Sequence, residues 1–254
     1  MITLGIDIGS ITAKAAILKD GEIISTKVSF TGYNSTLAGK RIFDDILSEA
    51  GLKPASLNKV VATGYGRNSV DFADKAVTEI ICHATGAYFL NPNVRSVVDI
   101  GGQDSKAIVL DAHGKVKDFA MKDKCAAGTG RFLEVMARAL EVDLDLFGET
   151  SLRADNPSRI SSLCTVFAES EVISLIAKGE KRENIIAGIH ESVASRVAAL
   201  ANRVGVKQPI MMTGGVAKNI GIVKALETKF GPMEIYASAQ VNGAIGAAVI
   251  ASKL

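Results

Sequence analysis

The sequence contains few of the residues on which several classes of protein depend. Its 254 residues include three cysteines, three histidines, five prolines and no tryptophan. Three cysteines do not make a disulfide framework in a chain of this size, which excludes a small disulfide-stapled scaffold. No segment rich in Pro or Ser divides the chain, so we expect two halves that are joined by a hinge and not by a tether.

Charge and hydropathy argue against two further classes. The formal net charge is +2, and no cluster of basic residues is interleaved with aromatics, so nucleic-acid binding has little support. No uninterrupted apolar run approaches the ~18 residues of a membrane span, and Asp7 lies where a signal peptide would keep its apolar core. With 48% hydrophobic residues, the chain can bury a sizeable core. We therefore expect a cytoplasmic globular protein.

An internal repeat is the main feature that the sequence does contain. The segment around Asp99 repeats the segment around Asp7 at an offset of 92 residues (99 minus 7). The matched pairs are Asp7 and Asp99, Ile8 and Ile100, Gly9 and Gly101, Lys14 and Lys106, Ala15 and Ala107, and Leu18 and Leu110. We interpret residues 1–90 and 91–254 as two copies of one β-β-β-α-β-α unit, with their first hairpins facing each other. Two similar hairpins that arose by chance are the alternative.

Three glycine turns follow predicted strands and are candidates for binding a nucleotide. Small residues let backbone N–H groups and hydroxyls reach phosphate oxygens, and Lys14 would add positive charge. Asp7 and Asp99, at strand ends, would hold Mg²⁺. No Walker lysine motif occurs, and no dinucleotide fingerprint follows a strand. The candidate nucleotide-binding residues are Asp7, Gly9, Ser10, Thr12, Lys14, Asp99, Gly101, Gly102, Gln103, Gly214, Gly215, Lys218 and Asn219.

Two cysteines lie just before predicted helices. Cys125 precedes a helix over 131–138, and Cys164 precedes one over 166–176 for which Thr165 is the expected cap. A helix N-terminus presents unpaired N–H groups and partial positive charge, which suit a thiolate or an anionic iron–sulfur cluster. Two such cysteines are half of a four-thiolate site. Buried thiols and a zinc site are the alternatives, and Cys82 is expected to be a core residue.

At this point the motifs resemble a known family. The three turns resemble the phosphate-1, phosphate-2 and adenosine motifs of the acetate kinase, sugar kinase, heat-shock chaperone and actin superfamily. The segments 125–134 and 164–174 resemble the activator ATPases of 2-hydroxyacyl-CoA dehydratases, whose relatives include ATPase subunits of benzoyl-CoA reductase and reductases of double-cubane cluster proteins. The resemblance implies an α/β fold with duplicated ribonuclease-H-like halves that form an actin- and sugar-kinase-like nucleotide cleft.

The same resemblance implies a homodimer with one [4Fe-4S] cluster held by Cys125 and Cys164 of both copies. ATP hydrolysis with Mg²⁺ would then drive a low-potential electron into an acceptor, either a dehydratase component or a double-cubane protein, with ferredoxin or flavodoxin as donor. The resemblance also makes Glu79 the candidate that orients the attacking water, with Gln103 and Asp104 as alternatives. Glu79 and His83 are four residues apart, as two metal ligands could be, but a hydrogen bond at the helix surface is the simpler interpretation.

Two other functions use the same fold. A small-molecule kinase would transfer the phosphate to a hydroxyl or carboxylate, and it leaves the cysteine motifs unexplained. A chaperone-like nucleotide switch would bind partners without redox chemistry. An anaerobic visible spectrum separates these hypotheses, because thiolate-bound iron–sulfur clusters are coloured.

Overall fold

The structure is a computed structural model that describes residues 1–123, 125–161 and 164–254. The chain folds into two compact units. The first contains Met1–Val97, Ile108–Phe119 and Tyr236–Leu254, and the second contains Val98–Ala107 and Ala120–Ile235. The predicted boundary after residue 90 describes the repeat and stays a prediction. The boundaries of the compact units differ from those of the two repeat copies, because the C-terminal segment packs with the N-terminal strands.

The first copy of the repeat forms a five-stranded sheet with two helices. Its strands are β1 (Ile2–Ile8), β2 (Thr12–Lys19), β3 (Glu22–Phe30), β4 (Lys59–Thr63) and β5 (Lys75–Ala76), and its helices are α1 (Ser35–Ala50) and α2 (Glu79–Leu90). The strand order is β3-β2-β1-β4-β5, with β1 antiparallel to β2 and parallel to β4. β1 is buried along nearly its whole length, as expected for a central strand covered on both faces.

The second copy repeats this topology and adds helices. Its strands are β6 (Ser96–Ile100), β7 (Ser105–Leu110), β8 (Val116–Lys122), β9 (Ile210–Thr213) and β10 (Met233–Glu234). Their order is β10-β9-β6-β7-β8, which is the order of the first sheet when each strand is matched to its equivalent. The helices are α3 (Gly130–Ala139), α4 (Leu144–Ser151), α5 (Thr165–Ala177), α6 (Arg182–Val204), α7 (Ile220–Phe230) and α8 (Asn242–Ala251). The duplicated α/β architecture is therefore present in the backbone.

Helix α8 belongs to the first unit because it packs directly on β1. A Cβ on Gly5 would lie 2.0 Å from the carbonyl oxygen of Ala244, so only glycine permits this approach. Leu4 and Ile6 point to the opposite face, where they share a core with Ile42 of α1. The last helix of the second copy thus covers the first sheet.

Two short segments differ from the sequence-based expectations. Cys164 is itself the N-cap of α5, and Thr165 is the first helical residue and not the cap. The residue spacing over 216–230 predicts a single helix, but a 3₁₀ turn over Gly215–Lys218 precedes α7. The break occurs because the Asn219 side chain accepts a hydrogen bond from Ile222 N (3.1 Å) and starts a new helix.

Cys82 is buried, as predicted. No helix in the described part of the chain is long and apolar enough to cross a membrane.

Candidate functional site

The first glycine turn joins β1 to β2 and carries a lysine beside a carboxylate. Gly9 N donates to the carbonyl oxygen of Thr12 (3.1 Å) and closes the turn. Lys14 pairs with Asp7 in the strand register, and its Nζ lies 3.4 Å from Asp7 Oδ2. Ser10 is exposed at the tip. The fold therefore groups five predicted residues of this turn, namely Asp7, Gly9, Ser10, Thr12 and Lys14.

Asp7 lies close to the start of α2 and of α8. A Cβ on Gly243 would stand 3.1 Å from Asp7 Oδ2 and 3.0 Å from His83 Nε2, so the carboxylate and the imidazole approach the same point. The pKa of Cys82 is raised to about 12, mainly by burial and in smaller part by the charges of Asp7 and Glu79. Both carboxylates therefore lie near one thiol.

His83 lies in the interior and not on the helix surface, while the expected hydrogen bond between Glu79 and His83 stays a prediction. His83 is 6% exposed and faces α8, because Asn242 Nδ2 donates to the His83 carbonyl oxygen (2.9 Å) and lies 3.4 Å from His83 Nδ1. The side chain is part of the contact between α2 and α8.

The second glycine turn has the same backbone but a closed ionic network. Gly101 N donates to the carbonyl oxygen of Asp104 (2.9 Å), as Gly9 does to Thr12. Lys106 Nζ lies 3.1 Å from Asp99 Oδ2 and 2.6 Å from Asp104 Oδ2. Thr213 Oγ1 donates to the other oxygen, Asp99 Oδ1, at 2.7 Å. Both oxygens of Asp99 are therefore engaged within the fold.

The other predicted residues of the second turn differ in accessibility. Gln103 is exposed, whereas Gly101 and Gly102 are half-buried. Asp104 folds back over the turn, since a Cβ on Gly101 would lie 2.3 Å from Asp104 Oδ1. Of the two alternatives to Glu79, Gln103 therefore faces solvent and Asp104 is ion-paired with Lys106.

The third glycine turn follows β9. Gly214 has φ +88°, and a Cβ there would lie 2.3 Å from the carbonyl oxygen of Ile100, so the position requires glycine. Gly215 and Lys218 are exposed. Asn219 is half-buried, and besides capping α7 its Nδ2 lies 3.3 Å from His190 Nε2. The Asn219 side chain is therefore used inside the fold.

The cysteine loop before α3 is bonded to the second glycine turn. Gly130 N donates to the carbonyl oxygen of Gly101 (2.9 Å), and Arg131 N donates to that of Gly102 (2.8 Å). The first two N–H groups of α3 are thus committed to the turn. This corrects the expectation that the start of α3 offers unpaired N–H groups to Cys125.

The second cysteine lies at the start of α5, which packs against α3. Cys164 is exposed, whereas Cys125 is half-buried. Three residues before Cys164, Ser161 donates to the carboxylate of Glu171 through its N–H (3.0 Å) and its Oγ (2.9 Å). Glu171 therefore ties the segment that precedes Cys164 to the helix that follows it.

One copy of the chain does not form a complete metal site from its described residues. No group of three or more His, Cys, Asp or Glu residues could hold a metal ion within 1–123, 125–161 and 164–254. A structural or catalytic zinc ion normally takes at least three protein ligands, so the zinc alternative has no such group here. Cys125 and Cys164 fit a shared cluster only as two of its four thiolates.

Three residues of this region were not singled out as functional from the sequence. Thr213 precedes Gly214 as Thr63 precedes Gly64 at the end of the equivalent strand, so the repeat carried a signal for it. Glu171 lies in a predicted helix, where a charged residue is ordinarily solvated, so its sequence context carries no functional signal. Arg196, which lies beneath the cysteine loop, is one of several charged residues of α6, and no local pattern distinguishes it.

One family of ATPases matches nearly the whole length of the chain. The chain belongs to the BadF/BadG/BcrA/BcrD ATPase family, whose model matches residues 4–251. It is 52% identical over 253 residues to the activator of lactoyl-CoA dehydratase from Anaerotignum propionicum, covering 99% of this chain and 97% of that protein.

Solved structures support the same conclusion. The (R)-2-hydroxyglutaryl-CoA dehydratase component A of Acidaminococcus fermentans has a TM-score of 0.96 at 50% identity, covering 100% of this chain and 98% of that one. The activator of 2-hydroxyisocaproyl-CoA dehydratase from Clostridium difficile, with bound ADPNP, has a TM-score of 0.95 at 45% identity, covering 100% and 95%. A ROK family glucokinase from Streptomyces griseus, at 14% identity and a TM-score of 0.61 with full coverage of both chains, shows the fold alone. The predicted actin- and sugar-kinase-like fold class and family are confirmed.

Proposed function

We propose that this chain is an ATP-dependent activator that hydrolyses ATP to deliver a low-potential electron to a partner iron–sulfur enzyme. Its relatives include the activators of lactoyl-CoA dehydratase and of 2-hydroxyisocaproyl-CoA dehydratase. The proposed electron acceptor is a dehydratase component or a double-cubane protein. The observation that carries the proposal is the pair of hydrogen bonds from Gly130 and Arg131 to the Gly101–Gly102 turn. A turn suited to phosphate and a loop suited to a cluster are thereby joined.

The nucleotide would be bound by the residues of the three turns. Within the described residues, Lys14 forms an ion pair with one carboxylate, that of Asp7, so its charge is available to a phosphate. We propose Asp7 as the acid that holds Mg²⁺, directly or through water. Asp99 is less suited to direct ligation, because Lys106 and Thr213 already engage its two oxygens. The remaining binding residues would be Gly9, Ser10, Thr12, Gly101, Gly102, Gln103, Gly214, Gly215, Lys218 and Asn219.

Glu79 remains the first candidate for orienting the hydrolytic water. It begins α2, and its charge and that of Asp7 act on the same buried thiol. Gln103 is exposed and free to turn toward a ligand. Asp104 is the weakest of the three, because releasing it would leave Lys106 with one fewer carboxylate.

The contacts of the second turn suggest how a nucleotide would act on the cysteine loop. The Ser105 hydroxyl donates to the carbonyl oxygen of Gly128 (2.6 Å), in addition to the two bonds made by Gly130 and Arg131. Hydrogen bonds weaken when their geometry is distorted. A displacement of the turn would therefore move the loop with it through these three bonds. Phosphate binding or release at Gly101 and Gly102 would therefore shift the start of α3.

The outer face of α5 supports a homodimer. Only Ala168 and Val172 of this helix are buried. Large apolar side chains are exposed along this helix, which Cys164 caps, namely Val166 (65%), Phe167 (67%), Ile173 (55%) and Ile176 (43%). Such a patch on a folded unit marks an interface. A second copy is the proposed occupant, because two more thiolates are needed next to Cys164 and two-fold symmetry supplies them.

Cys125 and Cys164 of two copies would hold the [4Fe-4S] cluster, with ferredoxin or flavodoxin as the electron donor. When bound, this group supplies one-electron chemistry at low potential. The protein's own contributions are the two cysteine loops, the nucleotide turns and the hydrogen bonds between them.

The proposal is tested by replacing each cysteine and measuring cluster and assembly under anaerobic conditions. Cys125→Ser and Cys164→Ser should lose the broad visible absorption and the iron content, because each removes two of four thiolates from a dimer. Cys82→Ser is the matched control, since the Cys82 thiol is buried and burial raises its pKa to about 12. It should keep the wild-type spectrum. A colourless, iron-free wild-type protein with ATPase activity would contradict the redox function and leave a kinase or a nucleotide switch.

A further inference from the structure

The Cys125 loop lacks the positive charge that its helix was expected to supply. Gly130 N and Arg131 N donate to the second glycine turn, and Phe132 N and Leu133 N donate to the Thr129 carbonyl oxygen (3.2 and 3.4 Å). All four N–H groups of the first turn of α3 therefore have partners. Arg131, the basic residue in the first turn of α3, is 51% exposed and already paired with Glu134 at 3.0 Å. Neither these N–H groups nor Arg131 is therefore an unpaired source of positive charge for an anionic group at Cys125.

Arg196 of α6 lies beneath this loop and is fixed there by three contacts. Its guanidinium carbon is 5.6 Å from the centroid of the Phe132 ring, a cation–π distance. Its aliphatic stem packs under Gly128, where a Cβ would lie 3.5 Å from Arg196 Cβ and 3.8 Å from Arg196 Cδ. Its Nη1 also donates to the Ser192 hydroxyl. The side chain is therefore held in one orientation.

The charge of Arg196 acts on Cys125 from a half-buried position. Burial is the larger effect and lowers the pKa of Arg196, whereas the charge of Cys125 raises it. The guanidinium remains protonated in any case. It also lines an open groove of about 610 Å³ beside residues 157–161, so one side of the group is wet. An interaction between charges in a half-buried site is screened less than one in bulk water.

We propose that Arg196 positions the Cys125 loop and sets the reduction potential of the shared cluster, an inference that rests on the proposed function. The cluster gains one electron and one negative charge on reduction, and a fixed cation beside a ligand favours the more negative state. In a homodimer both copies contribute an Arg196. Removing the cation from both should therefore make reduction by a given donor less favourable.

An EPR-monitored redox titration of the anaerobically purified, nucleotide-free dimer tests this. For Arg196→Gln we expect the ratio of reduced to oxidised cluster at a fixed potential to fall about tenfold, which is a shift of about 59 mV to more negative potential for one electron. Arg196→Lys keeps the charge and should stay near wild type. Arg203→Gln, on the exposed last turn of the same helix, is the matched control and should not shift.

The outcomes separate this inference from the proposed function. A wild-type protein without a cluster would overturn the function itself. A cluster-containing Arg196→Gln protein with the wild-type potential would overturn the role of Arg196 alone. If Arg196→Gln does not retain the cluster, Arg196→Lys decides: a retained cluster at the wild-type potential supports the charge role, and a lost cluster or a tenfold shift contradicts it.

Discussion

The two copies of the repeat share one backbone and differ in what their turns bind. In each copy an aspartate is the second-last residue of a strand, a glycine N–H closes the turn, and a lysine lies on the next strand. In the first copy Lys14 is 15% exposed and lies 3.4 Å from Asp7. In the second copy Lys106 is 3% exposed and contacts Asp99 and Asp104.

The different surroundings of Lys14 and Lys106 have two causes: one substituted position of the repeat, and different hydrogen-bond partners of the turn carbonyls. Asp104 of the second copy corresponds to Thr12 of the first at the same offset of 92 residues (104 minus 12). The carbonyl oxygen of Gly9 accepts from the Thr31 hydroxyl (2.8 Å), whereas that of Gly101 accepts from Gly130 N at the start of α3. The first turn is thus open to a ligand, and the second is closed on itself and attached to the cysteine loop.

The largest expected effect distinguishes the two lysines by stability. Lys106→Met should lower the free energy of unfolding by about 3–5 kcal/mol, because it leaves two carboxylates without their buried cation. Lys14→Met should cost about 1–2 kcal/mol, since its pair is longer and solvent reaches it. Urea denaturation of both variants checks the order. Equal losses would show that the two turns are not different in this respect.

The same pair of variants should reverse its order in ATPase assays. Lys14→Met is expected to reduce kcat about 100-fold, as when one preorganised charge that faces the reacting phosphate is removed. Lys106→Met, assayed at a temperature where it is folded, should retain much more activity because Lys106 is saturated by its own carboxylates. A greater kcat loss for Lys106→Met than for Lys14→Met would contradict the assignment of Lys14 to the nucleotide.

A smaller effect is expected at the threonines that precede Gly64 and Gly214. Thr213→Val removes a 2.7 Å hydrogen bond to the buried Asp99 carboxylate and should cost about 1–3 kcal/mol. Thr63→Val is the matched control, because the buried Thr63 hydroxyl has no hydrogen-bond partner among the described residues, and it should cost under about 1 kcal/mol. Thermal melts of the two variants provide the comparison. A Thr63→Val loss as large as that of Thr213→Val would remove the distinction.

The sequence was informative about the fold wherever the pattern was local. The repeat around Asp7 and Asp99 predicted both hairpins, and the burial of Cys82 followed from its apolar neighbours. Short segments such as β5, with two residues, carry too little pattern to be recognised. Expectations failed where a side chain capped a helix at an unexpected position. Asn219 does so by accepting a hydrogen bond from Ile222 N, and it starts a new helix inside a segment of continuous helical spacing.

The candidate site was predicted as a set of residue types and not as a set of partners. Sequence matching treats Lys14 and Lys106 as equivalent, because their different environments depend on where the Asp104 side chain turns. It also assigned the positive charge at Cys125 to the start of α3. The second glycine turn uses those N–H groups, and the cation that lies nearby, Arg196, comes from a helix that starts 57 residues after Cys125 (182 minus 125).

The sequence by itself determined the repeat, the two β-β-β-α-β-α copies, the glycine turns and the two cysteines, because each depends on residues that are close along the chain. Only the tertiary structure decided which lysine is neutralised by carboxylates, which N–H groups of α3 donate to the second glycine turn, and which unit contains the last helix. Those outcomes depend on contacts between residues far apart in sequence, such as Gly5 with Ala244, and on burial, which no local pattern records.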